Sequence, residues 1–220
     1  MTTRDTAMPE AEESEAVADV AEQRVPTRFT LATPTDWYRI PLVPEDARER
    51  SVRALVDRTF PSRDEHAENR QEMRELFRNI AEDGARRDGV ELYISTQSVL
   101  GVPLPASLLV AVVPPEDDDR RLHPHWLAAA MAEERPDTEV AVVRLPAGEV
   151  VRQRRLASGR EVVDLGVPEG HRVTALDFYV PVPGSTAYLL LTFSTPVPEL
   201  ADAMVELFDA VARSLTWSYE

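Results

Sequence analysis

Strand-forming segments follow one another through the second half of the chain, and this succession limits the folds available to it. Five such segments lie between residues 139 and 195, with turn residues between them: EVAVVRLP, EVVRQRRL, EVVDL, VTALDFYVPV and AYLLLTFST. Parallel strands need a long crossover connection, usually a helix, whereas antiparallel strands can follow one another through short turns. We therefore predict an α+β fold built around a central antiparallel sheet.

Helical patterns lie outside this run of strands, so we expect helices to flank the sheet. The clearest pattern covers 198–215, where apolar residues recur at helical spacing and form one stripe. The stripe consists of Leu200, Met204, Leu207, Phe208, Val211 and Leu215. Further helices are predicted over 45–59, over 62–83 with Gly84 just beyond the end, and over 123–134.

The first half of the chain also supplies strands to the predicted sheet. Phe29 and Leu31 alternate with polar neighbours and indicate a short strand, and a second short strand is expected over 37–40. Residues 90–97 and 104–113 have the composition of strands and are separated by a glycine-containing turn. We predict that these two longer strands are neighbours in the sheet.

The N-terminal segment differs in composition from the rest of the chain. It contains acidic residues, alanine and valine but no aromatic residue, so it can bury little apolar surface to offset the entropy of ordering. We predict a disordered acidic tail over residues 1–25 and a single α+β domain over residues 26–220.

The charge and hydropathy of the chain oppose several classes of function. A formal net charge of −15 disfavours binding to nucleic acid or to anionic membranes, because both require clustered cations. The longest apolar run, SLLVAVV, is far shorter than the ~20 residues needed to span a bilayer, so no membrane insertion is expected. The acidic N-terminus lacks the apolar core of a signal peptide, which favours a cytoplasmic location.

Two residue types with distinctive chemistry are missing from the sequence. There is no cysteine, which excludes disulfides, thiolate metal sites and a cysteine nucleophile. All 24 residues in the lysine and arginine total are arginine, so Schiff-base chemistry and a phosphate-binding lysine are excluded as well.

Motifs for cofactors and catalysis are also missing. The eight glycines form neither a G-x-G-x-x-G motif nor a P-loop, and the sequence has no G-x-S-x-G elbow. His123 and His125 lie near acidic residues, but at the start of a helix side chains two positions apart should point away from each other. We expect no cofactor, no metal and no enzymatic activity, with hydrolysis by a pair of carboxylates left open.

Four arginines within residues 152–160 form a basic segment in an otherwise acidic chain: Arg152, Arg154, Arg155 and Arg160. Strand alternation places the first two on one face and Arg155 on the other, and residues 157–160 resemble a hairpin turn. Such a strand suits a sheet edge, where charge discourages unwanted strand pairing. The alternative is that the four arginines bind an acidic partner or the chain's own tail.

Three stretches of the sequence carry a resemblance to a known group of proteins. They are LPAGEVVR (145–152), DFYVPVPGSTAYLLLTFSTP (177–196) and ELFDAVARSLTW (206–217). The chain resembles actinobacterial proteins with the PsbP-like fold, the LpqN-type group, mainly in its C-terminal third. The resemblance implies a sheet flanked by helices and a non-enzymatic role in binding a partner.

The sequence as a whole predicts an accessory domain that binds another protein. Within that class we expect an immunity-type or secretion-system-associated protein of a bacterium. The alternative is a small-molecule binder or weak hydrolase that uses a pocket between sheet and helices.

Overall fold

A seven-stranded antiparallel sheet organises the molecule. The structure, a computed structural model, describes residues 24–60, 67–96, 98–99, 102–114, 123–158, 161–162 and 171–219. Nearly all of the tail predicted over residues 1–25 lies outside these residues.

The strands and helices follow one another much as the sequence predicts. In chain order the strands are β1 (Arg28–Thr30), β2 (Trp37–Pro41), β3 (Gly89–Ser95), β4 (Ser98–Val99), β5 (Val102–Pro103), β6 (Ser107–Val113), β7 (Glu139–Leu145), β8 (Gly148–Ser158), β9 (Arg172–Pro181), β10 (Tyr188–Thr195) and β11 (Thr216–Ser218). The helices are α1 (Glu45–Thr59), α2 (Ala67–Arg86), α3 (Pro124–Glu134) and α4 (Ala201–Arg213).

The order of strands in the large sheet is β2-β3-β6-β10-β9-β8-β7, so β10 and β9 lie near its centre. The predicted neighbours β3 and β6 do pair, and a small hairpin of β4 and β5 lies between them along the chain. The short strands β1 and β11 pair with each other near the two ends of the described chain. The predicted α+β class with a central antiparallel sheet is confirmed.

One face of the sheet packs against α4 and forms the larger hydrophobic core. Phe208 of α4 is fully buried, and its ring stacks on Phe193 of β10 with a centroid separation of 5.0 Å. Trp37 of β2 meets the same Phe208 ring edge-on at 6.2 Å, and Phe178 of β9 meets Phe193 edge-on at 6.1 Å. This aromatic cluster joins three strands to the helix.

The opposite face is covered by three helices in two separate places. At one end of the sheet, α1 and α2 bury Leu55 and Phe77 against Leu92 and Leu109 of β3 and β6. At the other end, α3 contacts β7 and β8, and Pro124 is the only buried residue of that helix. The central strands between α2 and α3 are therefore less covered on this face.

The second helix ends later than the sequence predicts. The helix continues through Gly84 to Arg86, and Asp88 beyond it has a positive φ of 57°. A Cβ atom at Gly84 would lie 3.1 Å from Leu42 Cδ1 and 3.3 Å from Leu109 Cδ1. Gly84 therefore lies where α2 approaches the sheet closely, and it does not mark the end of the helix.

We predict that Phe208→Ala destabilises the protein by about 3–5 kcal/mol, because it leaves a cavity beside two aromatic rings in the core. Urea unfolding measures the change. Leu200→Ala is the control: Leu200 precedes the same helix and is 42% exposed, so its loss should cost less than about 1 kcal/mol. Similar costs for the two variants would contradict the packing described above.

Candidate binding groove

Two of the predicted arginines lie on the face of β8 that is turned toward α4. The Nε and Nη2 atoms of Arg152 donate to the two carboxylate oxygens of Asp209 at 2.8 and 3.0 Å. Arg154 Nη2 donates to Asp202 Oδ1 at 2.6 Å. Both arginines therefore join the sheet to α4, and the predicted face of the strand is correct for both.

Arg155 points to the opposite face of the sheet, as the alternation predicts. Its Nε donates to Asp177 Oδ2 at 2.7 Å, and its Nη1 lies 3.4 Å from Glu161 Oε1. Arg160 lies outside the described residues. The binding role predicted for the four arginines stays a prediction, and in the three that are described, guanidinium donors are already bonded to the chain's own carboxylates.

The expected position of this strand at a sheet edge is wrong. β8 pairs with β9 on one side and with β7 on the other, so it lies inside the sheet. Ala157 and Ser158 still pair with β9, and a turn begins at Ser158, one residue later than predicted, where Glu161 N donates to Ser158 O at 3.0 Å. A strand is also predicted over 161–165. Glu161 and Val162 are instead in a turn and a bend, and residues 163–165 lie outside the described residues.

The two histidines at the start of α3 also differ from expectation. The rings of His123 and His125 stack with centroids 5.4 Å apart and an interplanar angle of 9°, so they do not point apart. His123 lies just before the helix in extended backbone, which allows its ring to fold back over the first turn. The described residues contain no group of metal-binding side chains, and the acidic residues 116–119 are not among those described.

A groove crosses the sheet between α2 and α3, where the helical cover is interrupted. It consists of two adjoining cavities of about 160 and 300 Å³, called here the inner and the outer cavity. The inner cavity is lined by Arg87, Leu109, Ala111, Arg155, Glu161, Val162, Asp177, Tyr179, Leu190 and Thr192. The outer cavity is lined by Met131, Glu134, Arg135, Gln153, Arg155, Glu161 and Tyr179.

Glu161 holds together the rim that the two cavities share. Its Oε2 accepts hydrogen bonds from the backbone N and the hydroxyl of Ser158, both at 2.9 Å. Its Oε1 accepts from Arg135 Nη1 at 3.0 Å and lies near Arg155. The bonds from Ser158, aided by the two arginines, lower the pKa of Glu161 to about 2, so it is a carboxylate at neutral pH.

Asp177 lies in the wall of the inner cavity and is only 2% exposed. Burial raises the pKa of this carboxyl, while the charge of Arg155 and the Thr192 hydroxyl act in the opposite direction. Oδ2 is bonded to Arg155, but no hydrogen bond reaches the buried Oδ1. An unpaired buried acceptor is costly, and such atoms call for a specific explanation.

Tyr179 lies between the two cavities. Burial, followed by the charge of Asp177, raises the pKa of its hydroxyl to about 12. At neutral pH the groove therefore presents a neutral tyrosine beside the ionised Glu161. The pKa values of both groups are far from neutral pH.

Of the groove residues, the sequence interpretation singled out only Arg155. A second groove residue, Asp177, could have been found from the sequence, because it is the one charged residue in the apolar segment VTALDFYVPV. Acidic residues are seldom fully buried unless they are paired, so an acid in a central strand points to a partner or a site. The other groove residues come from separate turns and helices, and nothing in their local sequence connects them.

The far side of β7 forms a second surface of interest. Among the described strands, β7 is the last at its end of the sheet, and none pairs with its outer side. Trp126 of the neighbouring helix α3 is 70% exposed. In the part of the chain that the structure describes, no helix is both long and apolar enough to cross a membrane.

Comparison with known proteins yields only distant structural neighbours. No family model and no curated protein matches the sequence. The crystal structure of LpqN, involved in cell envelope biogenesis of Mycobacterium tuberculosis, is 10% identical with a TM-score of 0.45, over 87% of this chain and 83% of that one. The solution structure of cyanobacterial PsbP (CyanoP) from Synechocystis sp. PCC 6803 is 10% identical with a TM-score of 0.39, over 89% and 91%.

Both neighbours carry names that the sequence resemblance also points to. A likeness of this size bears on the fold alone and carries no inference about partners, location or activity. An actinobacterial origin, and a resemblance concentrated in the C-terminal third, stay predictions.

We predict that Arg155→Gln destabilises the protein by about 3–5 kcal/mol, because it leaves the buried Asp177 without its cation. Arg154→Gln is the matched change on the same strand, and it should cost at most about 1 kcal/mol because its partner Asp202 is mostly exposed. Denaturant unfolding of the two variants at neutral pH makes the comparison. Equal losses would show that the Asp177 pair is not buried as described.

The low pKa of Glu161 predicts a specific dependence of stability on pH. Because the folded pKa of about 2 lies below the ordinary value of 4.5, the carboxylate stabilises the fold above that value and loses this effect as the pH falls toward 2. Glu161→Gln should be less stable than the unmodified protein at neutral pH, with a difference that shrinks in acid. Urea unfolding at a series of pH values tests this, with Glu206→Gln at an exposed position of α4 as a surface control. A difference that does not change with pH is the contrary result.

Proposed function

We propose that this chain is a non-enzymatic domain that binds another protein by pairing an extended segment of that protein with the outer side of β7. The observation that carries the proposal is the open edge itself. β7 pairs with β8 from Glu139 to Leu145 without a shift in register, and no described strand lies beyond it. The backbone N–H and C=O groups on such an edge are a template for an added strand.

The other edge of the sheet has the features that discourage strand addition, whereas β7 does not. Natural edges are protected by short length, proline, bulges or charge. The opposite edge strand, β2, has five residues and ends at Pro41. β7 has seven residues and no proline, and its charged residues Glu139 and Arg144 lie toward the two ends. The uncharged residues 140–143 between them suit an extended partner.

An exposed tryptophan lies on the helix that flanks this edge. α3 packs on β7 and β8, and the His125 ring lies 3.9 Å from Glu149 at the start of β8. This contact places the first turn of α3, which carries Trp126, above the β7–β8 hairpin. Tryptophan is enriched among the residues that contribute most to protein interfaces. A partner strand on β7 would thus have an aromatic anchor near it.

The narrower expectations remain proposals as well. A role as an accessory or immunity-type protein in a bacterial secretion system is consistent with binding through an edge strand. The absence of enzymatic activity and a cytoplasmic location are part of the same proposal. A second candidate function is the binding of a small molecule between sheet and helices. The two adjoining cavities of the groove favour it.

Phage-displayed random peptides selected on the immobilised full chain test the proposal. We expect the selected peptides to slow amide exchange at alternate residues of β7, because an added strand bonds to every second peptide group. Protection confined to other strands would overturn the proposal. Protection of β7 that depends on protein concentration without peptide would assign the edge to a second copy of this chain, and would overturn it too.

A pair of lysine variants locates the binding surface. Ala141 is exposed in the middle of β7, and Ala141→Lys places a charge where natural edges use one against strand pairing. We expect this variant to weaken binding of the selected peptides by about 10-fold or more. Ala210→Lys makes the same change at an exposed position of α4 and should have no effect. Equal binding by both variants would move the site away from β7.

A further inference from the structure

The inner cavity holds a buried carboxylate oxygen that accepts no hydrogen bond, although the Thr192 hydroxyl acts on the same carboxyl from the paired strand. Asp177 Oδ1 is enclosed among described residues without a hydrogen bond, although the same carboxylate is paired through Oδ2 to Arg155. A satisfied ion pair would use both oxygens, for example in a two-bonded geometry with arginine. This protein has that geometry at Arg152 and Asp209, on the other face of the same strand. At Asp177 a ligand would complete the site by donating to Oδ1.

Part of the remaining wall of the inner cavity is apolar, although Arg87 and Thr192 also line it. Leu109 and Ala111 of β6 and Leu190 of β10 line it, together with the buried Val162. A donor group that reaches Asp177 therefore lies next to a surface that suits an aliphatic or aromatic side chain. Ligand sites typically combine such apolar walls with a few placed polar groups.

The outer cavity presents donors where the inner one presents an acceptor. Arg135 uses Nη1 for Glu161, and Arg155 uses Nε and Nη1 for Asp177 and Glu161. Each guanidinium has further N–H groups, and the neutral Tyr179 hydroxyl lies between the two cavities. Guanidinium groups are suited to carboxylates. A ligand that crosses the groove would meet an acceptor on the inner side and donors on the outer side.

The charges of this network are balanced, which selects the net charge of the ligand. The lining carries equal numbers of charges of the two signs, with Arg87, Arg135 and Arg155 against Glu134, Glu161 and Asp177. A ligand of net charge would leave a charge uncompensated in a partly buried site, which is costly. A ligand with one positive and one negative group keeps the balance.

We infer that the groove binds a small zwitterion of amino-acid size, with its ammonium group on Asp177, its apolar side chain in the inner cavity and its carboxylate beside Arg135 and Arg155. The outer cavity of about 300 Å³ lies at the lower end of the range found for ligand sites and the inner cavity of about 160 Å³ lies below it, which suits a small molecule that occupies both. The inference does not depend on strand addition at β7, because none of the residues that carry it belongs to that edge.

Titration calorimetry with three probes of the same shape tests the inference on the full chain. L-leucine carries both charges, 4-methylpentanoate lacks the ammonium group, and 3-methylbutylamine lacks the carboxylate. We expect leucine to bind at least about 10-fold more tightly than either of the others, as a charge-assisted hydrogen bond at each end predicts. Equal binding of leucine and 4-methylpentanoate would overturn the role of Asp177. Absence of binding by every standard amino acid at about 10 mM would overturn the inference as a whole.

Matched variants assign the two ends of the ligand. Arg135→Gln should weaken leucine and 4-methylpentanoate but not 3-methylbutylamine. Arg144→Gln is the control, because Arg144 is an exposed arginine outside the groove that lies 3.2 Å from one glutamate. It should leave the affinity for all three probes unchanged. Asp177→Asn should weaken leucine while leaving 4-methylpentanoate unchanged. If that variant does not fold, the three probes on the unmodified protein still decide. Identical effects of Arg135→Gln and Arg144→Gln would contradict the placement of the carboxylate.

Discussion

Burial of both faces of the central strands is the constraint on which the rest of this structure depends. On the face toward α4, Phe178, Leu189 and Phe193 are almost fully enclosed, and on the opposite face Ala175 and Asp177 of β9 are buried as well. A sheet of this kind must be covered on both sides, and each cover comes from a different part of the chain. α4 covers one face continuously, whereas α1 and α2 cover only one end of the other face. The groove is the part of that second face which no described helix covers fully.

Polar residues appear in the central strands where this cover is incomplete. Asp177 faces the groove between apolar residues of β9, and Arg155 reaches it from β8. Moving both charges out of water costs several kcal/mol per ion, so a buried ion pair is seldom retained for stability alone. Here the pair is also incomplete, because Oδ1 of Asp177 accepts no hydrogen bond. Burial raises the pKa of this carboxyl despite the nearby arginine. A pair that costs stability and remains unsatisfied is better explained by a ligand than by folding.

The periodic elements of this fold were predictable from the sequence, and the groove was not. The stripe on α4 and the alternation along β8 depend on local spacing. The alternation is confirmed, and Met204, Phe208 and Val211 of the stripe are buried, whereas Leu200 precedes the helix and is 42% exposed. Gly84 was misread because close packing on Leu42 and Leu109 cannot be seen locally. The arginine segment shows the same limit, since Arg152 pairs with Asp209, 57 positions away along the chain. Strand faces follow from sequence, whereas partners across layers depend on the tertiary fold.

Both candidate sites lie in the part of the fold that is least enclosed. Only Pro124 of α3 is buried, and most residues of β7 are exposed or half-buried, in contrast to the aromatic cluster around Phe208. Regions with few buried contacts open more readily than the core, and binding surfaces are drawn from them because a ligand or strand must gain access. Met131 and Glu134 of α3 line the outer cavity, while the first turn of the same helix carries the exposed Trp126. The helix that closes the groove therefore also flanks the open edge, so a ligand or a partner strand would each add contacts to a helix that buries only one of its own residues.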